Sequence, residues 1–408
     1  MTTMTTRGNR LQIVILGRCN TGKSTLLNRI TGQSSALVSE RAGTTADPVQ
    51  AHFELLPYGP VTFYDTAGLD EAGNLGALRR SAARKILTRA DMALVVTDEA
   101  GLGQAEDALI DELSALETPV LAVFNKGDLC PPRERDLNFC REKGIPFIVS
   151  TPADNADPVS LREALLALTP QQDDPPLVCD LLAPASTVLC VTPIDASAPK
   201  GRLIAPQIQI LRELVEADHL AVLTQGKDLP QTLAHLAVPP DLVITDSSLA
   251  REVVAALPKN IRVTTFSMLF ARLKGDFSLL YTGAQHIASL RENDIILIAE
   301  ACSHHAQCGD IARVKIPDLL QKNIGSSLNF SFYSGNDFPD DLSRYALALH
   351  CGGCMLNRRE MRRRLHICAQ HDIPVTNYGM AISFTQGLLE RVAQPIILDD
   401  HNTFNDLN

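Results

Sequence analysis

The sequence predicts an α/β protein of three successive domains with mostly parallel sheets, and three observations carry that prediction. Short apolar runs alternate with amphipathic helical stretches, the pattern of strands and helices wound into parallel sheets. A length of 408 residues exceeds what one hydrophobic core holds. A polar, proline-rich segment from Thr169 to Pro176, TPQQDDPP, interrupts the alternation and marks the clearest domain boundary.

The elements follow in order. Residues 1–170 contain the apolar runs LQIVIL, VTFYD, MALVVTD, VLAVFN and PFIVS, separated by amphipathic stretches. Residues 177–270 resume the alternation with LAVLT, LVITD and IRVTTF, separated by helical segments at Gln207–Ala217, Asp228–Leu236 and Leu249–Leu257. Residues 271–408 form a third block whose clearest strands are DIILIAEAC, Asp294–Cys302, and YALALHC, Tyr345–Cys351. The polar ending HNTFNDLN reads as a loosely held tail.

Composition narrows the function classes. With 45% hydrophobic and 21% charged residues, the chain is typical of soluble globular proteins. No apolar run reaches the roughly 18–20 residues that span a bilayer. The first apolar stretch runs straight into a nucleotide motif, as a buried strand and not a signal peptide does. These features predict a cytoplasmic protein with no membrane partner. A formal net charge of -10 argues against nucleic acid as a partner, because phosphate contacts need a basic surface. In a reduced cytoplasmic chain, ten cysteines read as core residues, redox groups or metal ligands.

Gly17-Arg-Cys-Asn-Thr-Gly22-Lys23-Ser24 follows the strand LQIVIL and opens the helix STLLNRI, which is the context a P-loop requires. Its backbone N–H groups cradle phosphates, Lys23 reaches the β- and γ-phosphates, and Ser24 ligates magnesium. Gly17, Asn20, Thr21, Gly22, Lys23, Ser24 and Thr25 are the expected phosphate-side residues. Asp65-Thr-Ala-Gly68 ends the run VTFYD and puts a carboxylate near the metal and a glycine N–H near the γ-phosphate. Asn125-Lys126-Gly-Asp128 ends VLAVFN. There Asp128 can accept from guanine N1–H and its exocyclic amine, and Lys126 can lie over the ring. Ser150 and Thr151 would complete the base pocket. All stand at carboxyl ends of strands, where open α/β sheets bind ligands. The fold expected is therefore a P-loop GTPase domain followed by two further α/β domains, with GTP and Mg2+ as ligands.

Between the first two motifs, Ala42-Gly-Thr-Thr45-Ala-Asp47 resembles the switch segment of translation-factor-like GTPases, which include tRNA-modification and ribosome-assembly members. That resemblance implies that Thr45 ligates magnesium and closes over the γ-phosphate. It also implies that Asn20 helps hold K+, making Lys23, Asn20 and Thr45 the expected catalytic set. Leu69 stands where many small GTPases carry a water-orienting glutamine, so hydrolysis should be slow and assisted by a cation or a conformational partner. Asp70 and Glu71 read as solvated switch-loop acids.

A second constellation lies toward the C-terminus. Cys302-Ser-His304-His305 follows one predicted strand, and His350-Cys351-Gly-Gly-Cys354 follows another. Two ligand-rich loops at neighbouring strand ends can converge, and the Gly-Gly pair permits the tight turn that lets both sulfurs reach one centre. Three thiolates with an imidazole suit zinc, while three thiolates with an exchangeable fourth position suit an iron–sulfur cluster. Spacing does not separate the two. Cys19, Cys130, Cys140, Cys179, Cys190 and Cys368 have no partner spacing, and Cys308 lies near the first loop without ligand spacing.

A GTPase domain followed by CxH and HCxxC, with a middle block beginning VTPIDASAPKGRLIAPQ, resembles the FeFe-hydrogenase maturation GTPases over the whole chain. The resemblance implies a scaffold and carrier that holds a 4Fe-4S cluster, takes the diiron subcluster as cargo from two radical-SAM maturases, and delivers it to apo FeFe-hydrogenase. It further implies a homodimer formed through the middle domain. Cys302, Cys351 and Cys354 would ligate the cluster, with His304 and His350 as fourth-ligand or near-site candidates. Asp195 is another fourth-ligand candidate, since a carboxylate is a weak, exchangeable iron ligand; its alternative is a salt bridge with Lys200 or Arg202. The run Asn357–Arg364, NRREMRRR, is either a solvated helix face or a surface for an anionic cargo or acidic partner. The competing function is an RNA-modification or ribosome-assembly GTPase with a structural zinc, and a third is a nucleotide-regulated redox sensor.

Overall fold

The computed structural model describes residues 10–32, 49–66, 86–88, 90–151, 157–169, 175–193, 203–301, 311–335, 337–339, 341–353 and 356–405. Two compact units divide the chain, one comprising Asn9–Asp173 and the other Asp174–Asn408.

The first unit is a six-stranded sheet. Its strands are β1 (Leu11–Leu16), β2 (Val49–Leu55), β3 (Gly59–Asp65), β4 (Met92–Thr97), β5 (Val120–Asn125) and β6 (Phe147–Ser150), in the order β2-β3-β1-β4-β5-β6. Only β2 runs antiparallel, against β3. The described helices are α1 (Lys23–Thr31), α2 (Gln104–Ala115), α3 (Glu134–Glu142) and α4 (Asp157–Leu168). β1, β4 and β5 are buried along their whole length, which is why they read as unbroken apolar runs. Alternate residues of β1 serve opposite faces. Ile13 and Ile15 pack with Leu26, Leu27 and Ile30 of α1 and Leu161 and Leu165 of α4. Val14 and Leu16 pack with Leu109, Ile110 and Leu113 of α2. The result is a three-layer α/β/α domain.

The second unit contains two four-stranded parallel sheets. One comprises β7 (Thr187–Thr192), β8 (Leu220–Gln225), β9 (Leu242–Thr245) and β10 (Arg262–Thr265), in the order β10-β9-β7-β8. The other comprises β11 (Ile295–Glu300), β12 (Asn329–Ser334), β13 (Leu347–His350) and β14 (Val375–Asn377), in the order β12-β11-β13-β14. Their helices are α5 (Ala205–Glu216), α6 (Leu229–His235), α7 (Ala250–Ala256), α8 (Phe266–Lys274), α9 (Phe277–Gln285), α10 (Ile316–Ile324), α11 (Arg358–Gln370), α12 (Tyr378–Thr385) and α13 (Leu389–Asn405).

Both sheets contribute to one core. Val188 and Val243 of the first sheet, Leu297 and Val375 of the second, and Met268, Leu269 and Leu365 from α8 and α11 form one apolar cluster. The boundary expected near residue 270 falls inside α8, a helix that starts directly after β10. Thr265 caps it by accepting from the Met268 N–H. None of the described helices is long and apolar enough to cross a membrane.

Four strands escaped the sequence reading, each for a physical reason. β2 is a mixed polar edge strand, β14 has three residues, and β12 alternates aromatic and polar residues on a half-exposed surface. β7 is a short buried run whose last two residues, Val191 and Thr192, open the VTPIDAS segment. The tail expected after residue 400 instead continues α13 to Asn405.

Candidate nucleotide and metal sites

In the first unit the carboxyl ends of the strands gather the nucleotide motifs on one edge. Ile15 stands opposite Asp65, and Asn125 opposite Ser150, in the sheet register. The turn after β1 needs glycine. Gly17 has φ of 147°, and a Cβ there would lie 2.1 Å from the Val96 carbonyl oxygen; at Gly22, one would lie 2.3 Å from Asn125 Nδ2. Asn20 also adopts positive φ, at 65°, and is exposed. Such a cradle is closed to side chains and lined by backbone, as a polyphosphate requires.

Lys23 is buried and donates from Nζ to the carbonyls of Gly17 at 3.0 Å and Arg18 at 2.6 Å. Ser24 Oγ donates to Asp65 Oδ2 at 2.5 Å, while the buried Asp65 Oδ1 has no hydrogen-bond partner among the described residues. Burial pushes the Asp65 carboxyl upward, against the opposing hydrogen bond from Ser24 and the charge of Lys23. A buried carboxylate oxygen without a hydrogen-bond partner among the described residues, beside a serine hydroxyl, suits a hard divalent cation, so these residues fit Mg2+. Thr21 is buried, with its hydroxyl on the Arg18 carbonyl, and Thr25 is exposed.

The base-side residues are braced to α1. Arg29 donates to Ser150 Oγ at 3.3 Å and to the Thr151 carbonyl at 2.9 Å. Asn125 donates to the Thr21 carbonyl at 2.8 Å, linking the base loop to the phosphate loop. Asp128 is exposed, as a carboxylate that meets a base must be. Lys126, expected over the ring, instead pairs with Asp98 at 3.3 Å. Thr45, Gly68, Leu69, Asp70 and Glu71 lie outside the described residues.

In the second unit β11 and β13 are parallel neighbours, with Ala299 opposite His350. The Cys351 N–H donates to the Ala299 carbonyl at 2.9 Å, and the Ala301 N–H donates to Cys351 Sγ at 3.0 Å. The backbone just before position 302 is therefore bonded to the thiol of position 351. Gly352 has open space where a Cβ would stand, and Gly353 takes φ of 64°. An N–H aimed at sulfur stabilises a thiolate, and Gly352 leaves room beside it, so what is described of this loop fits a thiolate-ligated metal group. Cys302, His304, Cys354, Cys308, Asp195, Lys200 and Arg202 lie outside the described residues. Among the described residues no three His, Cys, Asp or Glu side chains converge on a metal position.

His350 is buried, and both ring nitrogens are engaged. Nδ1 stands 2.8 Å from the Cys351 carbonyl, which can only accept, so Nδ1 carries the proton. Nε2 then accepts from Arg364 Nη1 at 3.1 Å. Burial and the neighbouring Arg364 guanidinium push the His350 imidazole down to about 4. In this geometry neither nitrogen presents a lone pair to a metal, in contrast to the fourth-ligand expectation.

One arginine of the α11 run departs from expectation, whereas Arg362 is exposed as a solvated face requires. Arg364 is 1% exposed, neither on a solvated face nor turned to a cargo. Its Nε donates to Glu360 at 2.8 Å, its Nη2 to the Gly335 carbonyl at 2.8 Å, and its guanidinium carbon lies over the Phe338 ring, 5.3 Å from the centroid. One guanidinium thus ties the ends of β12 and β13. Burial alone would raise the Glu360 carboxyl, but Arg363 and Arg364 outweigh it and hold it below the usual carboxylate range.

Four of the described cysteines elsewhere are poor redox groups. Burial pushes the thiols of Cys179, Cys190 and Cys368 up to about 12, and that of Cys140 up to about 11. They remain protonated, which removes the nucleophilic thiolate a sensor needs.

Comparison with known proteins follows the same division. Residues 12–126 match the 50S ribosome-binding GTPase family model. GTPase Der of Nitratidesulfovibrio vulgaris (strain ATCC 29579 / DSM 644 / CCUG 34227 / NCIMB 8303 / VKM B-1760 / Hildenborough) is 35% identical over 154 residues, covering 34% of this chain and 31% of that protein. The tRNA modification GTPase MnmE of Synechococcus sp. (strain JA-2-3B'a(2-13)) is 38% identical over 126 residues, covering 30% of this chain and 26% of that protein. The chain spans about a third of the length of the curated relatives it matches. The solved G domain of the T. maritima FeoB iron transporter aligns at 19% identity with TM-score 0.33, covering 40% of this chain and 100% of that one. Residues 177–275 match the hydrogen maturase F dimerization domain, and residues 278–395 match its tetramerization domain. With a GTPase domain ahead of both of these domains, the chain belongs to the hydrogen maturase F (HydF) family of hydrogenase maturation GTPases.

Proposed function

We propose that this chain is a GTP-regulated scaffold and carrier that holds a 4Fe-4S cluster through Cys302, Cys351 and Cys354. It takes a diiron subcluster from radical-SAM maturases and delivers it to apo FeFe-hydrogenase. The observation that carries the proposal is the Ala301 N–H to Cys351 Sγ bond at 3.0 Å, which joins the two cysteine loops in a chain of this family. When bound, the cluster supplies an iron site to which an anionic diiron unit can attach. His304 and Asp195 are the fourth-ligand candidates. His350 could serve only by giving up Arg364.

In the nucleotide half, Lys23 would exchange two backbone carbonyls for phosphate oxygens, a favourable trade of neutral for charge-assisted bonds. Ser24 and Asp65 would part to take Mg2+, with Thr45 closing from the switch. Asp128 would read guanine. Asn20, exposed at positive φ, would help hold K+. With leucine at position 69, hydrolysis would be slow. The chain would work as a homodimer in the cytoplasm, and the edge strand β8 suits such pairing. Leu220 is 58% exposed and Leu223 is 42% exposed on a strand open along one side.

The test is iron, acid-labile sulfide and EPR on protein purified and reconstituted without oxygen. About four irons and four sulfides per chain, lost in Cys351→Ser while GTP binding persists, is the expected result. One zinc and no cluster would overturn the proposal. The N-terminal match to a ribosome-binding GTPase model favours one other reading, an RNA-directed GTPase with a structural zinc. Salt-sensitive RNA retention together with bound zinc would establish that instead.

A further inference from the structure

Lysine is almost never fully buried unless its ammonium is bonded, yet Lys274 is 4% exposed. It is the last residue of α8 and lies within the segment matching the dimerization domain. Its Nζ donates to the Gly353 carbonyl at 3.1 Å and to the Leu356 carbonyl at 3.0 Å. Those two carbonyls flank Cys354 in sequence. The Gly353 carbonyl also accepts from the Leu356 N–H at 3.0 Å, so the ammonium seals a turn already closed by backbone. Lys274, Cys351 and Gly352 line one small cavity, together with Met361 and Asn377.

We propose that Lys274 is the positioning residue of the cysteine loop. It holds the carbonyls of Gly353 and Leu356 and brings a positive charge to the cavity that Cys351 also lines. This inference rests on the cluster reading only for its electrostatic half; the brace itself stands without a metal. Two effects follow. Hydrogen bonds from a charged donor hold the loop in one geometry before any metal arrives, lowering the ordering cost of assembly. The ammonium also favours the more negative, reduced state of a thiolate-ligated cluster, because charge and hydrogen bonding around the sulfurs set its potential. Because α8 also packs into the core shared by both sheets, the segment matching the dimerization domain physically supports a loop of the segment matching the tetramerization domain.

The experiment uses the full chain with Lys274→Met, which keeps the apolar stem, and Lys274→Arg, which keeps charge and donors. Hydrogen–deuterium exchange is measured on metal-free protein, and EPR-monitored redox titration on reconstituted protein. In the Met variant, peptides spanning 351–357 should exchange about tenfold faster, as local opening becomes easier, while peptides of β7 and β14 stay as in wild type. The midpoint potential should move negative. Arg should restore most of both. Unchanged exchange with an unchanged potential, or faster exchange spread evenly over the whole unit, overturns the proposal. If wild-type protein takes up no iron, the carrier function falls, while the exchange comparison still decides the brace.

Discussion

Lys23 donates to the carbonyls of Gly17 and Arg18, and Lys274 donates to those of Gly353 and Leu356. Each lysine is buried, and each holds a glycine-containing loop at the carboxyl end of parallel strands. The difference is where the lysine comes from. Lys23 lies five and six residues from its acceptors, on the helix that the loop itself opens. Lys274 lies 79 and 82 residues from its acceptors, on a helix packed into the shared core. A local anchor can leave its carbonyls for a ligand at little cost to the fold, whereas a distant one is part of the tertiary structure. The comparison suggests a loop that responds to its ligand in the first unit and a prebuilt socket in the second.

The strongest way to break this contrast is Glu360→Gln. It leaves the buried Arg364 guanidinium without its carboxylate, and losing one partner of a buried pair costs about 3–5 kcal/mol. Chemical denaturation of the second unit should show that loss. The pH arm has a definite sign. The folded Glu360 carboxyl lies below its ordinary value of 4.5. Its contribution is therefore complete above that pH and is lost as pH falls through the folded value. The variant should lack this part of the acid limb, and a wild-type stability curve in it would refute the socket.

Asp128→Asn comes next. Losing charge-assisted bonds to guanine, at about 1.5–3 kcal/mol each, should weaken GTP about a hundredfold and favour xanthosine triphosphate. Retained guanine preference in competition binding would remove Asp128 from the base site.

Lys23→Met sharpens the contrast from the responsive side. Nucleotide affinity should fall roughly tenfold to a hundredfold, for one charged donor lost, with melting of the nucleotide-free protein nearly unchanged. A large drop in stability would show that this lysine, too, is structural.

The smallest effect belongs to Leu220→Asp on the open edge of β8. Self-association measured by ultracentrifugation should weaken about tenfold, the usual scale for a partly buried interface leucine, and iron content should hold. Equal association would place the interface elsewhere.

Legibility follows the same division. The phosphate loop was readable because its strand, turn and helix are contiguous, so spacing alone encodes the geometry. The two strands ahead of the cysteine motifs were legible because both are strongly apolar, and they stand side by side as β11 and β13. Lys274 was not readable, because nothing near it in sequence marks a contact so far away. Arg364 was read as one charge among five in a run. Yet it sits in the stripe of Met361, Leu365 and Cys368, all buried, with Glu360 four residues before it. A charge at a core position of a helix, paired at i−4, was the available signal. Lys126 shows the limit from the other side, since a motif names a residue but not the neighbour, here Asp98, that competes for it.

The fixed tautomer of His350 has one practical consequence. An imidazole N–H shut away from water and held by the Cys351 carbonyl exchanges its proton slowly and resonates apart from the amide envelope in proton NMR. The cysteine loop therefore carries its own spectroscopic beacon, requiring no label. Its position reports the carbonyl that touches it, and so follows the loop through metal loading and partner encounter.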